Sequence, residues 1–408
     1  MSAQRRRGTA GRSLACALSA LALSACFAEV PAPRPGWTPH EIDAQRLCAA
    51  GQAPACGELG RLLVTHVTSE KDANRGLVLL ESSCGDGDGA SCAMLGRIYK
   101  NRGDEKGLAR ATELLTRACD LRSAEGCVSM GILSEAWERH DARPGLEAYR
   151  RSCDLGSAQG CELYGFALRR HALENPHAAD DAFIRACALG NLPSCHALGR
   201  PRIGDPATRA DGVAYLLKAC GGGFAPSCVT GAELFAPVVG AAASGARALP
   251  FAERACASKN DDSCAIADAS RIEANRDTPA ALQRLRDACD GGMALACFYF
   301  ANAAGASSAD AESVKRAYGV ACEGQSAAKP LACTRLAVLN LATTTIAEDA
   351  ASSTEVLVSR CDQSVGEACC AVAGLYDGVP WSVADALTAS ELRTKACNLG
   401  TQKCCPLQ

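Results

Sequence analysis

The sequence has few aromatic residues, no surplus of basic residues and, beyond its N-terminus, no long apolar run. Aromatic residues make up only 4% of the 408 residues, although 48% are hydrophobic. Most apolar side chains are therefore small and favour close helix packing over a bulky β-sandwich core. The net charge of −3 argues against nucleic acid as a partner. No run of 18 apolar residues follows residue 25, so no transmembrane helix is predicted.

Motifs of common catalytic and cofactor sites are also missing. The chain has no H-E-x-x-H, no P-loop and no G-x-G-x-x-G after a strand pattern. It has no C-x2-C, and its six His keep no common offset, so no metal or other cofactor is expected. One S-x-x-K runs from Ser326 to Lys329, without the S-D-N and K-T-G that accompany it in penicillin-binding enzymes. We identify no catalytic residue and expect Ser326 in a surface loop.

The first 25 residues predict a lipoprotein signal peptide. Four Arg among the first 12 residues precede an apolar run at 13–25, which is too short to span a bilayer. The run ends in Leu-Ser-Ala-Cys at 23–26, which resembles a bacterial lipobox, in which the cysteine is lipidated and becomes the mature N-terminus. The alternative is an ordinary signal peptide cut nearby, with Cys26 an unmodified thiol.

Residues 26–38 are rich in proline and predict a stiff tether between the membrane and the folded domain, residues 39–408. Signal removal leaves 38 basic and 45 acidic residues, so membrane attachment is expected through the lipid alone. Phe27 occupies the position where lipoprotein sorting signals lie. Lipoproteins of diderm bacteria without Asp at that position commonly go to the outer membrane. We therefore expect a lipid-anchored protein of the outer membrane or of a membrane that faces the periplasm.

Cys16 lies in the predicted signal peptide, and the 24 cysteines that follow Cys26 recur at a regular spacing. Most form C-x7-C pairs, one pair is C-x10-C, and successive pairs begin 33 to 39 residues apart. A period near 35 predicts an array of structural repeats. The pairs are Cys48 and Cys56, Cys84 and Cys92, Cys119 and Cys127, Cys153 and Cys161, Cys187 and Cys195, Cys220 and Cys228, Cys256 and Cys264, Cys289 and Cys297, Cys322 and Cys333, Cys361 and Cys369, and Cys397 and Cys405.

The C-x7-C spacing predicts two helices joined by a tight turn. In one helix, residues eight apart are separated by about 12 Å, whereas a disulfide needs Cα atoms roughly 4.4–6.8 Å apart. Gly three residues after the first cysteine can end the first helix in the left-handed conformation. Seven units have it: Gly51, Gly87, Gly156, Gly190, Gly223, Gly292 and Gly400. Less regular turns are expected in the other four units, at Arg122, Lys259, Gln325 and Ser364.

Flanking residues support this helix-turn-helix unit. We name the helix before the turn helix B and the helix after it helix A, which gives eleven B and ten A helices from about residue 39 to the last turn. The residue four positions before the first cysteine is often large and apolar, as at Leu115, Tyr149 and Phe183, and lies on the apolar face of the predicted helix B. Four residues after the second cysteine the residue is small in nine units, which suggests close approach to the next helix. Asp268 breaks this pattern, so looser packing is expected at 256–288.

Dense cysteines in an exported protein predict disulfides rather than metal ligands. Each nine-residue loop closed by a disulfide is worth about 2–3 kcal/mol on the chain-entropy model. The two remaining cysteines, Cys370 and Cys404, are predicted to pair and to close the end of the array, where a repeat protein needs a cap. Pairing of Cys361 with Cys370, or of Cys397 with Cys404, is the alternative.

Two stretches, 118–131 (ACDLRSAEGCVSMG) and 152–165 (SCDLGSAQGCELYG), carry a family resemblance. They resemble Sel-one-like repeats and, more narrowly, the Helicobacter cysteine-rich protein family, whose helical repeats each carry a C-x7-C disulfide. The resemblance covers about 44–408. It implies an all-α fold, an α/α solenoid of ten to eleven disulfide-stapled repeats similar to tetratricopeptide arrays, with a concave groove along the A helices. The C-x10-C unit and the proline-bearing segments 200–206 and 236–250 depart from the pattern and should be irregular.

Three functions are compatible with these features. The first is an interaction scaffold or adaptor that binds an envelope protein or peptide along the groove. The second, implied by the resemblance, is binding of cell-wall peptides, that is peptidoglycan fragments, or of β-lactams, with slow β-lactamase activity. The third is a structural envelope component without a soluble ligand. The repeat pattern and the missing catalytic motifs favour the scaffold.

Overall fold

The computed structural model describes residues 30, 32–33, 36–66, 69–137, 143–170, 176–239, 243–305, 311–377 and 383–405. The predicted signal peptide, Cys26 and most of the predicted tether lie outside this range. The described residues form helices and no strand. The helices are α1 Pro39–Ala49, α2 Ala53–Thr65, α3 Glu70–Gly85, α4 Gly89–Arg102, α5 Glu105–Asp120, α6 Ala124–Trp137, α7 Arg143–Asp154, α8 Ala158–Arg170, α9 Pro176–Ala188, α10 Leu192–Arg202, α11 Arg209–Gly221, α12 Ala225–Phe235, α13 Gly245–Ala257, α14 Asp261–Glu273, α15 Thr278–Asp290, α16 Ala294–Gly305, α17 Ala311–Glu323, α18 Lys329–Thr343, α19 Ala347–Asp362, α20 Gly366–Asp377 and α21 Val383–Asn398, followed by a short 3-10 helix Gln402–Cys404.

The helices alternate in the predicted order. Odd-numbered helices are B helices and even-numbered helices are A helices, so the prediction of eleven B and ten A helices is confirmed for the described residues. From α1 to α9 and from α11 to α21 each helix packs against its neighbours in sequence, and several A helices also contact the next A helix, as α4 contacts α6 and α14 contacts α16. The chain divides into two compact units within α10, unit 1 at 1–194 and unit 2 at 195–408.

In unit 1, a large residue of each B helix packs onto a glycine of the preceding A helix. A Cβ added to Gly165 in α8 would lie 2.9 Å from Cε1 and Cζ of Phe183 in α9. Gly60 approaches Leu80 in the same way, with 3.0 Å from such a Cβ to the leucine Cγ. Phe183 and Leu80 are completely buried. The close helix approach predicted from the small residues is confirmed here.

In unit 2 the same contact joins α10 to α11, where a Cβ on Gly199 would lie 2.8 Å from Leu216 Cγ. Six aromatic residues of unit 2 lie in one core that extends from α11 to α18. In this core the ring of Phe251 lies over Gly231, one residue earlier than the regular small position at Ala232. The register between α12 and α13 is therefore shifted by one residue, because the bulky side chain precedes its usual position.

The turns between helix B and helix A of a repeat are more uniform than the sequence predicts. All seven glycines three residues after a first cysteine have a positive φ, as expected. The expectation of less regular turns at Arg122, Lys259 and Ser364 is wrong, because each takes the left-handed conformation, with φ of 61°, 61° and 64°. At Arg122, as at Gly156, the backbone amide donates to the carbonyl of the first cysteine. The cysteine pair and the hydrogen bonds thus impose the same turn conformation in these repeats. Where glycine is missing, the backbone of a non-glycine residue is strained.

Two prolines lie inside helices. Pro201 lies in the last turn of α10, and Pro250 lies in the second turn of α13. Each proline removes one intrahelical hydrogen bond; α10 ends one residue after Pro201, whereas α13 continues to Ala257.

Candidate functional site: disulfides and A-helix faces

All 24 cysteines from Cys48 onwards are disulfide-bonded. The structure pairs Cys48 with Cys56, Cys84 with Cys92, Cys119 with Cys127, Cys153 with Cys161, Cys220 with Cys228, Cys256 with Cys264, Cys289 with Cys297, Cys322 with Cys333, Cys361 with Cys369 and Cys397 with Cys405. Within these pairs the Cα atoms lie 4.3–4.8 Å apart, which suits a disulfide across a tight turn. Nine of these ten bonds join helix B to helix A within a repeat, and Cys397–Cys405 joins α21 to the residue after the 3-10 helix.

Most of these cysteines lie in the core, so the predicted disulfide positions are not a surface at which a partner could bind. The second cysteine of a pair is at most 7% exposed in nine repeats, namely Cys56, Cys92, Cys127, Cys161, Cys195, Cys228, Cys297, Cys333 and Cys369. The physical reason is that the second cysteine starts helix A on the face that packs against the neighbouring helices. Cysteine behaves there as a small apolar residue. The functional surface must therefore be sought on other residues of the A helices.

The C-terminal repeat contains the one described disulfide that spans more than a turn. Cys370 in α20 is bonded to Cys404 in the 3-10 helix, with 5.8 Å between their Cα atoms. The vicinal cysteines are paired separately, Cys369 with Cys361 and Cys405 with Cys397. Of the pairings that the sequence leaves open, the structure therefore contains the one that ties the chain end to the preceding A helix.

A row of arginines in unit 1, which the sequence analysis missed, links successive B helices. Arg151 Nη2 donates to the carbonyl of Cys119 at 3.0 Å, and Arg185 Nη2 donates to the carbonyl of Cys153 at 2.9 Å. Each also pairs with the aspartate that follows that cysteine. Cations stabilise the C-terminal end of a helix, where carbonyls are unpaired. The signal was present, since Arg117, Arg151 and Arg185 all lie two residues before a first cysteine.

The A helices of unit 1 expose different side chains at one equivalent position, five residues after the second cysteine. Arg61 and Arg97 occupy it in α2 and α4, and each forms an ion pair with an acid at or near the start of the following A helix. Ile132 and Phe166 occupy it in α6 and α8 and are 39% and 41% exposed. The face therefore changes from paired cations to large apolar side chains along unit 1.

In unit 2 a cleft of about 540 Å³ lies beside α14 and α15 and is lined in part by Asp268. The carboxylate of Asp268 is buried and accepts hydrogen bonds of 2.7 Å from both Arg271 and Arg284. Arg284 also pairs with Asp277 at 3.3 Å. A buried carboxylate needs such partners. Both guanidinium groups that line this cleft are therefore already engaged.

A second polar cluster in unit 2 joins four helices. Arg335 in α18 forms a bidentate pair with Glu367 in α20, at 2.7 and 3.0 Å, and hydrogen bonds Asn302 in α16. The Tyr318 hydroxyl of α17 donates to the same Asn302 oxygen at 2.7 Å. Burial raises the pKa of Tyr318. The cluster satisfies its own charges and holds the helices in register.

Ser326 lies in the turn between α17 and α18 and is half-buried rather than surface-exposed. Its hydroxyl is enclosed and makes no hydrogen bond with another described group. Lys329 Nζ reaches the carbonyl of Glu323 at 3.5 Å instead. The structure thus does not join the two polar side chains of the S-x-x-K segment.

The described residues contain no group of three His, Cys, Asp or Glu that could hold a metal ion. None of the described helices combines the length and the apolar character that crossing a bilayer requires.

No protein-family model matches the chain, and no curated protein matches it in sequence. Solved structures do match. A protective antigen of uropathogenic Escherichia coli that displays an SLR fold aligns at 16% identity and a TM-score of 0.59, covering 87% of this chain and 79% of that chain. A Sel1 repeat protein from Oxalobacter formigenes aligns at 17% identity and a TM-score of 0.51, covering 76% of this chain and 91% of that chain.

These likenesses define the class, an all-α solenoid of helix-turn-helix repeats, here stapled by disulfides. More narrowly, the chain has the Sel1-like repeat fold, and the resemblance recognised in 118–131 and 152–165 is confirmed. So many disulfides belong to an oxidising, extracytoplasmic location.

Proposed function

We propose that the protein is an exported scaffold that binds a protein or peptide partner through the exposed faces of its A helices. One observation carries this proposal. The buried contacts of unit 1 repeat from helix to helix, whereas the exposed position five residues after the second cysteine varies and presents Ile132 and Phe166 in consecutive repeats. Neighbouring exposed apolar residues of this size commonly mark an interaction surface.

The proposal includes a lipid anchor at Cys26 and attachment to a membrane of the cell envelope. The lipobox-like tetrad at 23–26 supports the anchor. Val30 and Trp37 pack against the hydrophobic cluster of α1, α2 and α3, so the folded domain begins within a few residues of the proposed anchor. Such an arrangement keeps a scaffold close to the membrane while its partner binds along the repeats.

Affinity capture from cross-linked envelopes tests the proposal, with wild type, the Ile132→Ser/Phe166→Ser variant and a Val78→Ser control as baits. Val78 is 50% exposed but lies on a B helix. We expect wild type and Val78→Ser to recover one discrete protein in near-stoichiometric yield, and the double variant to lose it while keeping the wild-type melting temperature within a few degrees.

A partner that all three baits recover equally contradicts this surface. Muropeptides retained on the bait without any protein would instead favour the binding of cell-wall peptides.

A further inference from the structure

A second cavity in unit 2, of about 470 Å³, lies at the turn between α13 and α14. Arg200 of α10 and Lys259 of this turn supply its cationic side chains, and Val229 of α12 supplies an apolar wall. His196 also lines it, with Nδ1 2.9 Å from the Ser227 hydroxyl. None of the residues that line the cavity is acidic.

The two cations of this cavity are not engaged by protein groups. The side chains of Arg200 and Lys259 make no hydrogen bond or ion pair with a described residue. This distinguishes the cavity from the cleft at Asp268, where both arginines bind carboxylates. Burial and then Arg200 lower the pKa of His196, so its ring is neutral at neutral pH and offers a hydrogen bond rather than a charge.

Two carboxyl groups outside the lining limit what the cavity can accept. Burial and then Asp262 raise the pKa of Glu233, while burial and then Asp261 raise that of Asp262. Both carboxyls lack a close cationic partner, although Arg200 acts on Glu233 at longer range. Because repulsion by these carboxyls grows with the charge of the ligand, the cavity favours a ligand with a single negative group over one with several.

The backbone at Lys259 adopts a conformation that glycine usually takes. Its φ of 61° belongs to the left-handed region, which glycine fills in seven equivalent turns. A non-glycine residue there costs stability. Arg122 and Ser364 adopt the same conformation, and of these three residues only Lys259 lines this cavity.

We propose that this cavity binds one carboxylate of a peptide ligand between Arg200 and Lys259, with an aliphatic side chain against Val229. Arginine and lysine form charge-assisted hydrogen bonds with carboxylates. The inference rests on the proposed function, because it assigns a ligand class to part of the A-helix surface. The carboxylate could end the peptide chain or belong to an acidic side chain.

Binding of three probes to the full mature protein with intact disulfides tests the proposal. The probes are acetyl-Ala-Ala-Leu with a free carboxylate, the same peptide as its carboxamide, and acetyl-Ala-Glu-Leu carboxamide. We expect the free carboxylate to bind at least tenfold more tightly than its carboxamide. Binding of the third probe would identify a side-chain carboxylate as an equally good source. Equal affinity for all three probes would overturn the proposal.

Variants separate binding from folding. Arg200→Gln and Lys259→Gly should each weaken the carboxylate probe about five- to tenfold, while Lys259→Gly also raises the melting temperature because the turn relaxes. Arg122→Gly should raise the melting temperature without changing affinity, and Arg276→Gln should change neither. A Lys259→Gly protein that is more stable and binds equally well would refute the site. Partner capture that still depends on Ile132 and Phe166 would leave the proposed function standing.

Discussion

At the residue scale, the glycines of the A helices act by leaving room for a neighbour. Gly165→Ala would place a Cβ 2.9 Å from the ring of Phe183, which is completely buried and cannot move aside. We expect a loss of about 1–3 kcal/mol in the free energy of unfolding, as for overpacked cores. Urea unfolding measures it, and Gly165→Ala/Phe183→Leu should recover part of the loss.

Gly374→Ala is the matched control, because it also lies inside an A helix but a Cβ there meets no heavy atom within 4 Å. It should stabilise the protein by about 0.5–1 kcal/mol through helix propensity. If both alanines were equally well tolerated, close packing would not explain the recurrence of glycine.

Glu41 couples the first helix to pH. Its carboxylate accepts hydrogen bonds from the Thr38 backbone and hydroxyl and lies 3.0 Å from His66 Nδ1. The contact with His66, followed by those with Thr38, lowers the pKa of Glu41 from 4.5 to about 2. A lowered pKa stabilises the fold above pH 4.5, and this contribution is lost as pH falls from about 4.5 towards 2.

Glu41→Gln should therefore flatten the dependence of stability on pH between about 2 and 5, and should cost about 0.3–1 kcal/mol at about pH 7 by removing an anion from the helix N-terminus. Hydrogen exchange of the α1 amides at a series of pH values measures both effects. An unchanged pH profile in the variant would show that Glu41 is not the group responsible.

At the scale of elements, the sequence predicts the helices well because one cysteine precedes and one follows each turn between helix B and helix A. The bounds of α1 and the alternation of B and A helices follow from cysteine, glycine and apolar positions that act locally. The expected irregularity at Arg122 is wrong, since the disulfide and the turn hydrogen bonds suffice without glycine. The cavity at Arg200 and Lys259 could not be predicted, because its side chains come from separate elements that only packing brings together.

The disulfide between Cys370 and Cys404 should stabilise the last helices more than any single turn disulfide. It spans 34 residues, and on the chain-entropy model such a loop is worth about 3–4 kcal/mol, against about 2–3 for a nine-residue loop. Removing it with Cys370→Ser and Cys404→Ser should therefore speed hydrogen exchange in α20 and α21 more than Cys397→Ser with Cys405→Ser does. Peptide mapping without reduction checks the pairing itself, and free thiols at both positions would contradict it.

At the scale of the whole molecule, we expect many local crosslinks to add substantially to the stability that the hydrophobic clusters provide. A typical domain is stable by about 5–15 kcal/mol, and a few nine-residue loops at about 2–3 kcal/mol each reach that value. We therefore expect complete reduction to abolish the helical circular dichroism signal at about 25 °C. Cys84→Ala combined with Cys92→Ala, which removes one staple, should keep the fold with a lower melting temperature. A reduced protein that still melts cooperatively would contradict this account.

The placement of the disulfides also determines how the chain responds to mechanical load. Residues between the two cysteines of a turn disulfide cannot extend under force. Each such loop removes roughly 20 Å of contour length, so a pulled repeat lengthens by less than its residue count allows. The bond between Cys370 and Cys404 withholds roughly 100 Å more, because it bridges 34 residues near the C-terminus. If the N-terminus is fixed to a membrane, the opposite end of the array is the part that force cannot draw out while its disulfides are intact.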